Sequence, residues 1–194
     1  RDWQLKRFKE VVARVKKNLP QVEYFHMANS AAVLTCPEAY FNMVRPGISL
    51  YGVTPLGEPH DHLLPIMKMK APVTFIKEFN KGESIGYNRE YITDKNEKIA
   101  FIQAGYADGI PVELSNRGEV EIEGILYPIV GQVSMDLVAI RCGDLEIKTG
   151  QEAIFWGSDD MNLRLETLAE KYDKIPYEFL TGVTKRVKRN YIHG

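Results

Sequence analysis

Apolar side chains recur at helical spacing along the first twenty residues and then give way to shorter runs. Trp3, Phe8, Val11, Val12, Val15 and Leu19 share one face of a predicted helix, Lys and Arg take the other, and Pro20 ends it. Tyr24-Phe25-His26-Met27 predicts a short strand leading into the small-residue turn Ala28-Asn29-Ser30-Ala31-Ala32. Residues 37–44 read as a second helix, with Pro37 at its first position and Glu38 in its first turn. Arg45-Pro46-Gly47-Ile48 breaks that pattern ahead of the apolar run Ser49-Leu50-Tyr51-Gly52. Helix, strand, helix and apolar run is the grammar of α/β units. So short a piece falls far below the roughly 250 residues of a complete α/β barrel, and it reads as the end of one.

Beyond residue 53 the period changes. Pro55, Gly57, Pro59 and Pro65 mark a loop, and short alternating segments with turn residues between them follow. Strands are predicted at Met67–Ile76, around Tyr87 and Tyr91-Ile92, and at Lys98–Ala104, Gly118–Ile125, Tyr127–Val133, Leu137–Arg141 and Ala153–Trp156. Leu163 to Tyr172 predicts a helix, and Val183–Tyr191 a basic strand. The expected organisation is therefore an α/β remnant over 1–53, a linker over 54–65 and a mainly β domain over 66–194.

Composition narrows the function classes. Of the 194 residues, 44% are hydrophobic and 26% charged, an ordinary globular mix. A formal net charge of -1 gives no electrostatic reason to expect nucleic acid or an anionic membrane as partner. No apolar run is long enough to span a bilayer, and no signal-peptide pattern opens the chain. Cys36 and Cys142 fit neither a disulfide framework nor a CxxC metal site, so a reducing, cytoplasmic setting is expected. His60 and His62 lie in the Pro-rich loop and read as solvated, and no metal is expected.

Five local patterns invite chemistry, and each has a plainer reading. Gly105-Tyr106-Ala107-Asp108-Gly109 follows a strand directly and predicts a tight, exposed turn, which alone is a decorated hairpin turn. A phenol with an ordinary pKa of about 10 is a poor base unless a neighbouring cation or donor stabilises its anion. His26-Met27-Ala28-Asn29-Ser30 sets a hydroxyl and small residues just past a strand, a turn that can offer N–H groups to a phosphate or merely cap a helix. In Arg45-Pro46-Gly47-Ile48, Pro46 fixes the backbone and Gly47 allows close approach, so Arg45 is either aimed at a ligand or is a helix-end cation. Val130-Gly131-Gln132-Val133-Ser134-Met135-Asp136 joins two β runs and reads first as a strand with a glycine bulge. Pro176-Tyr177-Glu178 precedes an apolar stretch and by itself claims nothing.

Taken in order, His-x-Ala-Asn-Ser, Arg-Pro-Gly-Ile-x-Leu-Tyr-Gly, Gly-Tyr-Ala-Asp-Gly, Pro-Ile-Val-Gly-x-Val-x-Met-Asp and Tyr-Glu ahead of a final Arg-Val-x-Arg resemble the alanine racemase family from about residue 22 to the end. The resemblance implies the carboxyl-terminal part of a pyridoxal 5'-phosphate enzyme, a cytoplasmic isomerase that interconverts L- and D-alanine for peptidoglycan. It also implies a homodimer whose active sites are shared between subunits. By the same resemblance Tyr106 is the catalytic tyrosine, one of two opposed acid/base groups, serving the L face while the cofactor lysine serves the D face. Ser30, Gly47, Ile48 and Tyr177 correspond to the phosphate grip, Arg45 to the arginine at the pyridine nitrogen and His26 to its support. Met135 corresponds to the residue whose N–H meets the substrate carboxylate, with Asp136 beside it, and Tyr127 to a tyrosine lining the access corridor. An arginine (pKa above about 12) does not hand its proton to the ring, which makes the ring a weaker electron sink.

Departures from the family pattern are equally informative. The Lys-x-Asn-Ala-Tyr-Gly motif of the Schiff-base lysine is missing, as is the mid-barrel arginine, and Gln132 stands where many relatives have arginine. Lys6 to Lys17 sit on a polar helix face and none is assigned to the cofactor. The chain is expected to be a fragment, inert alone. Two alternatives stand beside that reading: a racemase for serine or another small amino acid, and a non-catalytic β-domain module for dimerisation or binding.

Overall fold

The computed structural model describes residues 2–143 and 145–192, and the chain divides into two compact units, 1–64 and 65–194. In the first unit the amphipathic pattern becomes α1 (Asp2–Asn18), which buries Val12 and sets Phe8 edge-on to Phe41 at 5.0 Å. β1 (His26–Asn29) and β2 (Met43–Arg45) pair in parallel, His26 opposite Met43 and Asn29 opposite Arg45. A parallel pair needs a crossover, and α2 (Ser30–Thr35) supplies it. Asn29 caps α2, its Oδ1 accepting the Ala32 N–H at 3.1 Å.

The helix expected over 37–44 does not form. Only Pro37–Ala39 makes a 3-10 turn; Phe41 then enters the left-handed region at φ 52°, and the chain becomes strand β2. The Asn42 amide is the cause: its Oδ1 accepts the Phe25 N–H at 2.8 Å and its Nδ2 donates to Glu23 O at 2.6 Å. Those bonds fasten the segment beside the chain entering β1, and a helix would lose them.

The second unit is a mainly β domain. Its strands are β3 (Met69–Phe79), β4 (Ser84–Ile85), β5 (Tyr91–Ile92), β6 (Glu97–Ile102), β7 (Glu119–Ile122), β8 (Ile125–Pro128), β9 (Val138–Arg141) and β10 (Glu152–Trp156). Six of them form one antiparallel sheet in the order β8-β7-β10-β3-β6-β9. Its edges meet: Ile129, one residue past β8, bridges antiparallel to Ile140 in β9, and Val130 N–H donates to Ala139 O at 2.9 Å. The sheet thus closes on itself, which removes the exposed edges that would otherwise invite pairing. Val73, Ile99, Ile102, Val120, Ile122, Val138, Ile140 and Phe155 are all buried in it.

Two helices follow, α3 (Leu165–Lys171) and α4 (Pro176–Gly182). The sequence reading assigned no element to α4, although Pro176 stands at its first position and Glu178 Oε1 accepts the Ile175 N–H at 3.2 Å. The basic strand expected over 183–191 is absent from the described residues: its backbone makes one turn and otherwise irregular structure, and isolated backbone and side-chain bonds, not a ladder, fasten it. Thr184 N–H reaches Asp108 O at 3.4 Å, Thr184 Oγ1 donates to Ala107 O at 2.8 Å, and an Arg189 guanidinium N–H donates to Val183 O at 3.2 Å.

Candidate functional site

In the first unit, the end of β1 and the turn after β2 bring together four of the expected residues. Ser30 is buried, and its Oγ accepts the Gly47 N–H at 2.8 Å and the Ser49 N–H at 3.4 Å. Ile48 is buried, and among the described residues its N–H has no acceptor. Arg45, on β2, donates to Met27 O at 3.4 Å. Ser49, which the sequence reading passed over, adds a buried Oγ with no hydrogen-bond partner. A Cβ placed on Gly47 would meet nothing nearer than Ser30 Oγ at 4.0 Å, so the backbone here is open to close approach. An orphaned buried hydroxyl beside a second hydroxyl and a free N–H is a donor set that fits a phosphate, and these residues therefore fit the phosphate of pyridoxal phosphate. His26 lies opposite Met43 in the register, and no hydrogen bond joins it to Arg45 among the described residues.

In the second unit, two segments are locked side by side at one end of the barrel. Gly105-Tyr106-Ala107-Asp108 turns immediately past β6 and lies on the backbone of Ser134-Met135: Tyr106 N–H donates to Ser134 O at 3.0 Å and Ala107 N–H to Met135 O at 3.2 Å. Contact is close enough that a Cβ on Gly105 would run into Ser134 O and the Met135 carbonyl, so only glycine fits. Asp108 closes the turn, its Oδ2 accepting the Gly105 N–H at 3.0 Å. Tyr106 and Met135 are about half exposed, at 47% and 50%. The Met135 carbonyl is taken by Ala107, while its N–H has no acceptor among the described residues.

Tyr87 is an exposed residue that the sequence motifs did not single out. It sits between β4 and β5, is 67% exposed, and is flanked by left-handed backbone at Gly86 (φ 75°), Asn88 (φ 58°) and Arg89 (φ 55°). Two non-glycine residues in that region within one turn cost on the order of 1–3 kcal/mol each, strain of the kind that gathers at functional sites. The turn meets the segment before Met135: Asn88 Nδ2 donates to Gln132 Oε1 at 3.4 Å, and a Cβ on Gly86 would stand 3.3 Å from Gln132 N. The sequence carried a signal, since Gly86-Tyr87 repeats the Gly-Tyr pair of Gly105-Tyr106.

Tyr127 does not line an open corridor here. It lies in β8 opposite Val120, is 5% exposed, and burial pushes its phenol up from 10.0, so it is a core residue. Tyr177 stands in the first turn of α4, 42% exposed. Among the described residues no cluster of His, Cys, Asp or Glu could hold a metal, and no helix is long and apolar enough to cross a membrane.

The second unit is thus a closed β unit presenting glycine-tyrosine turns, and the first an α/β unit that carries a phosphate-type cradle. Residues 66–191 match the sequence profile "Alanine racemase, C-terminal domain" and residues 1–55 the profile "Alanine racemase, N-terminal domain". The chain belongs to the alanine racemase family. It is 44% identical over 161 residues to the alanine racemase of Vesicomyosocius okutanii, covering 83% of this chain and 45% of that protein. The alanine racemase crystal structure from D-cycloserine-producing Streptomyces lavendulae superposes with a TM-score of 0.89 at 35% identity, covering 98% of this chain and 51% of that one. The Bartonella henselae alanine racemase, solved with covalently bound pyridoxal phosphate, gives 0.83 at 36% identity, covering 98% and 52%. The chain spans about half the length of the curated relatives it matches.

Proposed function

We propose that this chain is the carboxyl-terminal part of an enzyme that interconverts L- and D-alanine by moving the α-proton between two opposed acid/base groups. One of those groups is a tyrosine of the barrel rim. The observation that carries the reading is the locked pair of segments 105–108 and 134–135, which sets the exposed Tyr106 phenol on the backbone of Met135, whose N–H has no acceptor among the described residues. Racemisation removes a proton on one face of Cα and returns one on the other, so a single base is not enough. The other group is the cofactor lysine, which the chain's motifs do not include.

Ser30, Gly47, Ile48 and Ser49 would hold the cofactor phosphate, and the family resemblance gives Tyr177 a phosphate-contacting role as well. Arg45 would meet the pyridine nitrogen, and the family resemblance gives His26 the role of supporting that arginine. Pyridoxal phosphate, when bound, withdraws electron density from Cα and so acidifies its proton. Met135 N–H takes the substrate carboxylate, fixing which face of Cα each base meets; Asp136 stands beside it. The whole enzyme is a homodimer in which the rim of one subunit completes the cradle of the other.

The family resemblance gives the L-face role to Tyr106. The strained backbone around Tyr87 supports a second assignment, and on geometry Tyr87 is the stronger candidate, because Tyr106 stands in an unstrained, capped turn. Incubating the full-length protein with pyridoxal phosphate and either L-alanine or L-serine, then resolving the enantiomers, tests the reaction and its substrate. Rapid appearance of D-alanine is expected; faster turnover of serine would move the assignment to a different small amino acid, and inversion of neither would leave a non-catalytic module.

A further inference from the structure

Arg186, in the Arg-Val-x-Arg sequence near the end of the chain, ties together the two segments that make the rim. Its Nε lies 3.4 Å from Asp108 Oδ1, and its terminal guanidinium nitrogen donates to Asp136 Oδ1. Asp108 is the residue that closes the Tyr106 turn, through the Gly105 N–H, and Asp136 directly follows Met135. One cation thus spans two carboxylates that belong to separate loops. Nothing else of opposite charge serves that pair among the described ion pairs, whereas the backbone bonds of Thr184 and the contact of Gly109 with Gly182 are electrically neutral. The three side chains line a cleft of about 360 Å³ with Gln103 and Val187, and Arg186 is itself half exposed, so neutralising it opens no core.

We infer that Arg186 is a positioning residue, whose guanidinium holds the Tyr106 turn and the Met135 N–H in register for the substrate carboxylate. This rests on the alanine racemase reading for its catalytic consequence, but not for the clamp itself. Lysine places one compact charge where arginine offers a planar fork, so Arg186→Lys can serve one carboxylate well but not both together.

The test uses full-length holoenzyme carrying Arg186→Met or Arg186→Lys, compared with the parent by hydrogen–deuterium exchange of the peptide spanning 103–110, by melting temperature and by alanine kinetics. The clamp predicts faster exchange in that peptide for Arg186→Met, partial recovery in Arg186→Lys, and a melting temperature close to the parent's. It further predicts a rise of about tenfold or more in KM for alanine, with a smaller fall in kcat and with bound cofactor unchanged. Unchanged exchange at 103–110 overturns the clamp. Faster exchange with unaltered KM leaves Arg186 a structural residue and overturns the positioning role. Should the parent itself fail to invert alanine, the racemase reading falls, and the exchange result alone decides the clamp.

Discussion

Gly105 illustrates how much one residue can decide. Its backbone is extended, a conformation open to any side chain, so the requirement for glycine comes entirely from the space that Ser134 and Met135 occupy. Gly105→Ala is expected to cost about 1–3 kcal/mol, the range of overpacking a tight contact, and to lift the Tyr106 turn off its seat. Urea unfolding would measure the loss, and a parallel rise in KM for alanine would show that the seat matters to the substrate; an unchanged midpoint would mean that the two segments part freely. At this scale the sequence was informative where a motif is contiguous. Gly-Tyr-Ala-Asp-Gly is legible as a tight exposed turn, and Ser30 with Gly47 as a candidate phosphate grip. It was silent where partners lie far apart in the chain: no local pattern announces that Arg186 meets both Asp108 and Asp136. Tyr127 shows the reverse error, since a residue carried over by resemblance turned out to be packed in the barrel.

Among elements, strands read most clearly where one face is buried. Alternation located β3, β6, β7, β9 and β10 to within a few residues, because their inward positions form the closed core. Alternation misled over 183–191, where the basic residues serve side-chain contacts, and the helix-start signals Pro37 and Glu38 misled over 37–44, where two hydrogen bonds of Asn42 outweigh helix propensity. α4 is too short for its period to register, yet it is anchored electrostatically. Lys174 Nζ lies 2.8 Å from Glu113 and 3.4 Å from Glu178, joining the start of α4 to the Val112–Leu114 turn. Lys174 holds the Glu113 carboxyl below its ordinary 4.5, and Glu113 in turn raises the Lys174 ammonium above 10.5. A lowered carboxylate contributes stability that is present above 4.5 and lost as the pH falls through the depressed value. A raised ammonium contributes stability that is present below 10.5 and lost as the pH climbs through the raised value. Lys174→Met should therefore destabilise the protein at pH 7 by a few tenths to about 1 kcal/mol, Glu113 being half exposed and screened. Unfolding curves at pH 7 and below pH 4 would check this, the parent–variant gap narrowing in acid; a gap that stays constant would assign the loss to packing of the lysine stem.

For the molecule as a whole, two units are present, yet the chain reaches only about half the length of its relatives, and its motifs lack the cofactor lysine. Incubated alone with pyridoxal phosphate and then reduced with borohydride, this chain should gain no stoichiometric cofactor mass on any lysine. Such a gain would show that a lysine of this chain takes the role after all. The proposed reaction turns, however, on a rim tyrosine acting at the L face of Cα. Its most direct test is exchange of the α-proton with solvent deuterium, followed by NMR from L- and from D-alanine, in full-length Tyr87→Phe and Tyr106→Phe. Phenylalanine keeps the ring and removes the exchangeable proton. The strained turn predicts that Tyr87→Phe slows exchange from L-alanine by about a hundred- to ten-thousand-fold while exchange from D-alanine survives, with a milder effect in Tyr106→Phe. A lopsided loss in Tyr106→Phe instead would return the role to Tyr106. If both variants exchange both enantiomers at the parent rate, neither phenol handles the proton, which contradicts a rim tyrosine as the L-face base.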